Sequence, residues 1–262
     1  MAKPSVIYTR KNCLLAYQLY WELLIRWRVH LYDTTWFDHL NRLMRKQGVH
    51  VLNHRFTKPG MSRFEVSSQP DMAPGRLAEL LRSVLYDLIV SRTPQPLVKN
   101  YHVNSVGNQS REQIQRHVAT QLSQTDVCDE KFKKSYRQFQ IFHGETDLSE
   151  FQNVQHVTYS YNLYVVLERA MNGSELEVEF MHKVYDCVLE VSENEGFRLS
   201  HAAVLPDRFE IVVGCPLDTC PIDVVLKYMN DLASRHRMQP ALRFGAYVNT
   251  FGEDAIDSAH AS

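Results

Sequence analysis

The chain carries the same residue order twice, and that repetition limits its fold more than any single motif does. Arg63-Phe64-Glu65-Val66 returns as Arg208-Phe209-Glu210-Ile211, and Val103-Asn104-Ser105-Val106-Gly107 returns as Val248-Asn249-Thr250-Phe251-Gly252, both at a spacing of 145 residues. Solenoid and propeller repeats recur every ~20–50 residues, so a period this long makes each copy a folding unit rather than one turn of an array. Between the anchors the grammar is shared. Pro74 and Pro221 each open an amphipathic stretch, residues 75–89 and 222–236. Proline suits the first turn of a helix because the N–H it lacks would have no intrahelical partner there. Upstream, residues 19–29 (LYWELLIRWRV) and 157–168 (VTYSYNLYVVLE) are rich in aromatic and β-branched side chains and read as strands. Helical patterns over 34–47 and 176–195 follow, stopped by Gly48 and Gly196. Strands at 49–56 and 197–205 then lead into the strand that carries the Arg-Phe-Glu triplet.

The order in each copy is β-α-β-β-α-β, the split arrangement of ferredoxin-like folds. The expected class is therefore α+β: two tandem ferredoxin-like domains with antiparallel sheets, both helices of each on one face, forming a pseudo-dimer. The expected boundaries are 1–121 for the first domain, with a C-terminal helix over 109–121, 122–155 for a connector with room for its own helix, and 156–262 for the second.

Charge separates the copies. The net charge of −1 conceals 17 Lys and Arg against 8 Asp and Glu in residues 1–125, and 12 against 22 in the remainder. A basic half is compatible with nucleic acid, since each phosphate neutralised releases counterions; it is equally compatible with docking on the acidic half. The acidic half is the candidate surface for a protein partner. No apolar run approaches the ~18 residues of a membrane span, and the first residues lack the apolar core and cleavage site of a signal peptide, so a cytoplasmic protein with no membrane partner is expected. Five cysteines without a CxxC pair suggest buried thiols rather than a disulfide framework or zinc ribbon.

Gly196-Phe197-Arg198-Leu199 followed by Val204-Leu205-Pro206-Asp207-Arg208-Phe209-Glu210-Ile211-Val212-Val213 resembles the core of the single-tyrosine HUH transposases, the insertion-sequence-200-like and REP-associated tyrosine transposases. The family strand usually reads M-P-D-H-x-H-L-L, and its later V-x-x-V-G is similar to Val-Asn-Ser-Val-Gly and Val-Asn-Thr-Phe-Gly here. The helix that bears the family's nucleophilic tyrosine, roughly S-x-E-x-V-x-R-Y-I-x-x-Q, is similar to Ser110-Arg111-Glu112-Gln113-Ile114-Gln115-Arg116-His117-Val118-Ala119-Thr120-Gln121. The resemblance spans most of both copies and implies the ferredoxin-like fold and DNA as partner, in hairpin or single-stranded form.

The departures from the family pattern bear on chemistry. The HUH histidines, which hold a divalent metal on the scissile phosphate, are replaced by Arg208 and Glu210 in the second copy and by Arg63 and Glu65 in the first. Arginine cannot deprotonate to ligate a metal, and a lone glutamate makes a poor site. His117 stands at the tyrosine position, and in the second copy only DAIDSAHAS remains for the helix. Gln121, one helical turn from His117, keeps the family's accessory-ligand identity. No catalytic residue, metal or cofactor is therefore expected; Mg or Mn enters only if the chain is a divergent active transposase. Two readings of the arginines stand side by side. Each Arg-Glu couple, two apart on one strand face, is an ion pair filling a vacated site, or the guanidinium has taken over the metal's task of holding a phosphate. The candidate nucleic-acid contacts are Arg26, Arg28, Arg55, Lys58, Arg63 and Arg208. His50 and His54, four apart on a strand and so on one face, span about 13 Å and are too far apart to share an ion. The aromatic run Tyr20, Trp21, Trp27 and its counterpart Tyr159, Tyr161, Tyr164 reads as core before it reads as a base-stacking platform. Walker, nucleophile-elbow, zincin and Rossmann signatures are absent from the sequence. The expected function is binding of hairpin or single-stranded DNA by a catalytically inactive transposase derivative, as a monomeric pseudo-dimer or a homodimer. The alternatives are an active endonuclease and a protein-interaction subunit.

Overall fold

The computed structural model describes residues 6–28, 34–90, 95–124, 130–170, 178–237 and 239–253. In chain order the elements are β1 (Leu14–Gln18), β2 (Tyr20–Trp27), α1 (Phe37–Arg45), β3 (His50–Lys58), β4 (Met61–Ser67), α2 (Pro74–Ile89), β5 (Leu97–Val106), α3 (Arg111–Gln124) and α4 (Glu130–Tyr136), then β6 (Ile141–Phe142), β7 (Gln152–Val154), β8 (Val157–Ser160), β9 (Asn162–Arg169), α5 (Val178–Asn194), β10 (Arg198–Val204), β11 (Arg208–Gly214), α6 (Pro221–Arg235) and β12 (Leu242–Thr250). Both helix-opening prolines stand at the first helical turn, and Gly48 and Gly196 take the positive φ that ends α1 and α5.

Two six-stranded sheets result, ordered β3-β4-β2-β5-β8-β7 and β1-β12-β9-β11-β10-β6. Four consecutive strands of each, β3-β4-β2-β5 and β10-β11-β9-β12, are antiparallel in the ferredoxin-like order, so the fold class is α+β as expected. In both sheets alternate residues are buried under two helices: Trp21, Leu23, Ile25, Phe64 and Val66 in the first, Leu163, Val165, Leu167, Phe209 and Ile211 in the second. Most of the aromatic run is core: Trp21, Trp27, Tyr159, Tyr161 and Tyr164 are buried.

Each sheet is extended by a strand from the other copy. β1 pairs in parallel with β12, and β8 pairs in parallel with β5. The long strands expected at 19–29 and 157–168 are thus parts of strands that change sheets, breaking at Leu19 and Tyr161. The crossover explains the repeated Val-Asn-Ser/Thr-x-Gly motif. Ser105 Oγ donates to Phe251 O at 2.7 Å and accepts from Asn162 N at 2.9 Å; Thr250 Oγ1 donates to Val106 O at 2.7 Å and accepts from Tyr20 N at 2.8 Å. The hydroxyls satisfy the backbone groups freed where the chains change partners. The closing glycines allow the approach, because a Cβ on Gly107 would stand 2.0 Å from Thr250 O and one on Gly252 2.7 Å from Ser105 O.

Two sequence expectations are corrected. The Arg-Phe-Glu triplets are not structural equivalents. Leu24 lies between Arg63 and His102, whereas its counterpart Val166 lies between Glu210 and Tyr247. The second triplet is slid by two residues because the tight β3–β4 hairpin at Pro59-Gly60 is replaced by a longer β10–β11 loop. Period-two geometry keeps both on the same face despite the slip. His50 and His54 do not share a face either: the register of β3 shifts between Val51 and Asn53, so His50 pairs with Ser67 and His54 with Phe64. Cys13, Cys187 and Cys215 are buried free thiols and Cys220 is half-buried. Cys128 and the DAIDSAHAS segment lie outside the described residues. Among the described residues no helix is long and apolar enough to cross a membrane.

Candidate nucleic-acid interface

On the first sheet the residues that alternate with the core point away from α1 and α2. From β2 these are Tyr20, Glu22, Leu24 and Arg26, and from β4 Met61, Arg63, Glu65 and Ser67. The two register shifts in β3 place Arg55 directly opposite Arg63, and Lys58 opposite Met61, which in turn faces Arg26. Four of the expected contacts, Arg26, Arg55, Lys58 and Arg63, therefore stand together on one outer face, with Arg26, Arg55 and Lys58 exposed. Arg63 is half-buried between two carboxylates: it pairs with Glu22, and its Nε lies 3.4 Å from Glu65. Arg28 stands just beyond β2, where its Nε donates to Leu97 O at 3.3 Å. Glu22 is a member of this cluster that the sequence motifs do not single out, although a lone acid in an otherwise apolar strand, in phase with Arg26, is a visible signal.

The second sheet presents Tyr164, Val166, Ala203, Val212 and Tyr247 on the corresponding face, and this face is covered. The exit from β5 crosses that from β12, with a Ser110–Gly252 bridge and Arg111 N donating to Gly252 O at 2.7 Å. That crossing delivers α3 onto β10 and β11. Ile114 and Val118 then pack with Leu148, Tyr164, Ala203, Val212 and Phe251. At the edge of this apolar seal lies a polar knot. Arg208 Nε donates to Glu210 Oε1 at 2.8 Å, while its terminal nitrogens reach Asp207 at 3.0 Å and Gln121 Oε1 at 2.8 Å. Tyr164 donates to Glu210 Oε2 at 2.8 Å, and Gln121 Nε2 lies 2.8 Å from His117 Nε2. His117 Nε2 is 3.5 Å from Glu210 Oε2, longer than a hydrogen bond.

The structure thus brings together Arg208, Glu210, His117 and Gln121, which come from two copies of the repeat, and leaves Arg63 and Glu65 on the other sheet with Glu22. Tyr164 and Asp207 complete the knot. Burial pushes the Tyr164 phenol well above its ordinary value, and the Glu210 carboxylate adds to the shift. It is therefore a neutral donor, not a phenolate nucleophile. Burial draws the Arg208 guanidinium down, but Glu210 and Asp207 outweigh it and hold it raised. Each of the three guanidinium nitrogens of Arg208 donates to a protein group, Glu210, Asp207 or Gln121, so it serves as internal counter-charge. Among the described residues no group of three or more His, Cys, Asp and Glu side chains is placed to hold a metal ion.

No family model and no curated protein matches the chain. Among solved structures, one similar chain is a REP-associated tyrosine transposase bound to a REP hairpin, with 9% identity and a TM-score of 0.31 over 35% of this chain. The match spans 56% of that transposase, little more than half its length. A candidate chlorite dismutase is similar at 11% identity over 83% of this chain and 89% of its own, with a TM-score of 0.21. A candidate transcriptional repressor of the glycine cleavage system is similar at 12% identity over 89% of this chain and 99% of its own, also with a TM-score of 0.21. Similarities at this level carry no functional argument.

Proposed function

We propose that the chain binds DNA, in hairpin or single-stranded form, through the outer face of the first sheet, and that the helix-capped second sheet is a scaffold without nuclease activity. The observation that carries the reading is Arg55 directly opposite Arg63, with Lys58 and Arg26 in the next row. Like charges opposite one another on adjacent strands destabilise a sheet; Glu22 and Glu65 balance Arg63, while Arg55, Lys58 and Arg26 stay exposed as cations that an anion can neutralise. A phosphodiester fits, because a guanidinium fork donates to two oxygens at once. Glu22 and Glu65 neutralise part of this charge and fix Arg63 in place, leaving Arg55, Lys58 and Arg26 as the outward cations. The absence of nuclease activity is supported by chemistry: Arg208 is bonded internally, and Tyr164 stays protonated as a donor to Glu210.

Fluorescence anisotropy against hairpin, single-stranded and duplex DNA at two salt concentrations, with Mg²⁺ present and products run on a denaturing gel, tests both parts. Uncleaved, salt-sensitive binding is expected. Arg55→Glu combined with Lys58→Glu should weaken it about tenfold or more and flatten the salt slope by about 1 for each phosphate that is no longer neutralised. Both positions are exposed, so folding stability should stay within about 0.5 kcal/mol. Arg243→Glu, on the second sheet, should leave binding unchanged. Salt-insensitive binding, or binding indifferent to the double reversal, overturns the interface, and a nicked product overturns the inactivity.

A further inference from the structure

One row of paired residues crosses the whole first sheet on its outer side. The strand registers set Arg55 against Arg63, Arg63 against Leu24, Leu24 against His102, His102 against Thr158 and Thr158 against Asn153. The strand exchange completes the row, since β8 and β7 extend the first sheet beyond β5. Its chemistry is graded: two guanidiniums at one end, an aliphatic side chain in the middle, then an imidazole, a hydroxyl and an amide. Leu24, His102 and Thr158 are half-buried and Asn153 is exposed. Thr158 Oγ1 donates to Asn153 Oδ1 at 2.8 Å, which holds the last two side chains together. The row on one side contains Lys58, Met61 and Arg26, and the row on the other contains Asn53, Glu65, Glu22, Asn104 and Ser160. Cations therefore mark one end of two neighbouring rows, about 7 Å apart along the strands, and carboxylates close the third.

We propose that this row reads unpaired bases: the sugar-phosphate backbone follows Arg55, Lys58 and Arg26, and a base crosses Leu24 to place its edge at His102 and Thr158. The inference rests on the DNA-binding reading above and narrows it to strands whose bases are free, a single strand or the loop of a hairpin. The grading of the row matches a nucleotide laid across the strands. Charge meets the phosphate, the aliphatic side chain meets the sugar and the face of the base, and donors and acceptors meet the edge that carries sequence. Two strand spacings, about 10 Å, separate β4 from β5, the reach of one nucleotide from phosphate to base edge. A duplex does not fit this face in the same way. Six strands span about 24 Å, twice the ~12 Å width of a major groove, so the sheet laid flat meets only duplex backbone. Unpaired bases, in contrast, splay onto an open sheet.

Fluorescence anisotropy of the full chain tests this with base-bearing single strands, an abasic strand of the same phosphate number, and the matching blunt duplex. The abasic strand should bind about tenfold or more weakly than a base-bearing one, and the duplex more weakly than its single strand. His102→Ala with Thr158→Val should weaken binding of base-bearing strands about fivefold or more without moving the salt slope, whereas Arg55→Glu with Lys58→Glu flattens that slope. Thr158→Val alone keeps the β-branched shape and replaces the pair if the double variant does not fold, with circular dichroism melting as the check. Equal affinity for abasic and base-bearing strands, or a duplex bound as tightly as its strand, would overturn the base-reading row and leave the cationic face standing. So would variants that bind base-bearing strands like the wild type, or that lose as much on the abasic strand. Absent or salt-insensitive binding overturns the DNA reading itself, and this inference with it.

Discussion

The outer faces of the two sheets are built on the same strand order and finished in opposite ways. On the first, the outward positions hold Glu22, Arg26, Arg55, Lys58, Arg63 and Glu65, a surface that belongs in water. On the second they hold Tyr164, Val166, Ala203 and Val212, and α3 closes over them with Ile114 and Val118. The strand order fixes where side chains point, while their chemistry decides whether water or a helix covers them. The ionic groups show the same rule. Arg63 shares two carboxylates at a half-exposed surface, whereas the buried Glu210 is bonded on both oxygens, as a charge removed from water must be.

The largest test of this contrast is Ile114→Ala, which opens a cavity beneath α3 and should lower unfolding stability by about 2–5 kcal/mol in urea titration. A neutral result would mean that α3 merely rests on the second sheet. Glu210→Ala comes next: it strips the acceptor from Arg208 and Tyr164 and should cost about 1–3 kcal/mol, against less than about 1 kcal/mol for Glu65→Ala, where Arg63 retains Glu22 at a partly solvated site. Equal losses at the two positions would erase the distinction between the faces. The smallest effect is on pH dependence. Burial against Trp36, Phe37 and Phe64 depresses His54 to about 4, below its ordinary 6.5. The unfolded chain therefore takes up a proton that the folded one refuses, so this contribution is complete above pH about 6.5 and is lost as pH falls toward 4. His54→Gln should flatten that part of the stability profile, measured as denaturation midpoints across the range. His201 in the second sheet, lowered by burial and then by His143, acts in the same direction and remains in the variant.

Much of the fold was legible in the residues because its signals are local. Pro74 and Pro221 open α2 and α6, Gly48 and Gly196 close α1 and α5, and the alternation in β2, β4, β9 and β11 reports which side faces the core. The repeat predicted two like units, and the charge count singled out the half whose sheet carries Arg26, Arg55 and Lys58 on its outer face. The site was legible in part: Arg26, Arg55, Lys58 and Arg63 stand out individually in the basic half, but a register shift within β3, which no residue pattern announces, is what sets Arg55 opposite Arg63.

What the sequence determined by itself is the β-α-β-β-α-β order within each copy and the residues those elements can bury, since backbone preference and side-chain periodicity act over a few neighbours; β1, β6 and β7 were not in that order. Only the tertiary structure decided that β1 and β8 cross to the opposite sheets, that the Arg-Phe-Glu triplets lie two residues out of register, and that α3 of the first copy assembles Gln121 and His117 with Arg208 and Glu210 of the second. Those outcomes depend on which free edge and which apolar face another part of the chain presents. Gly107 and Gly252 join the two levels: the sequence displays both glycines, and the crossing backbones of the folded chain supply the reason, because neither leaves room for a Cβ.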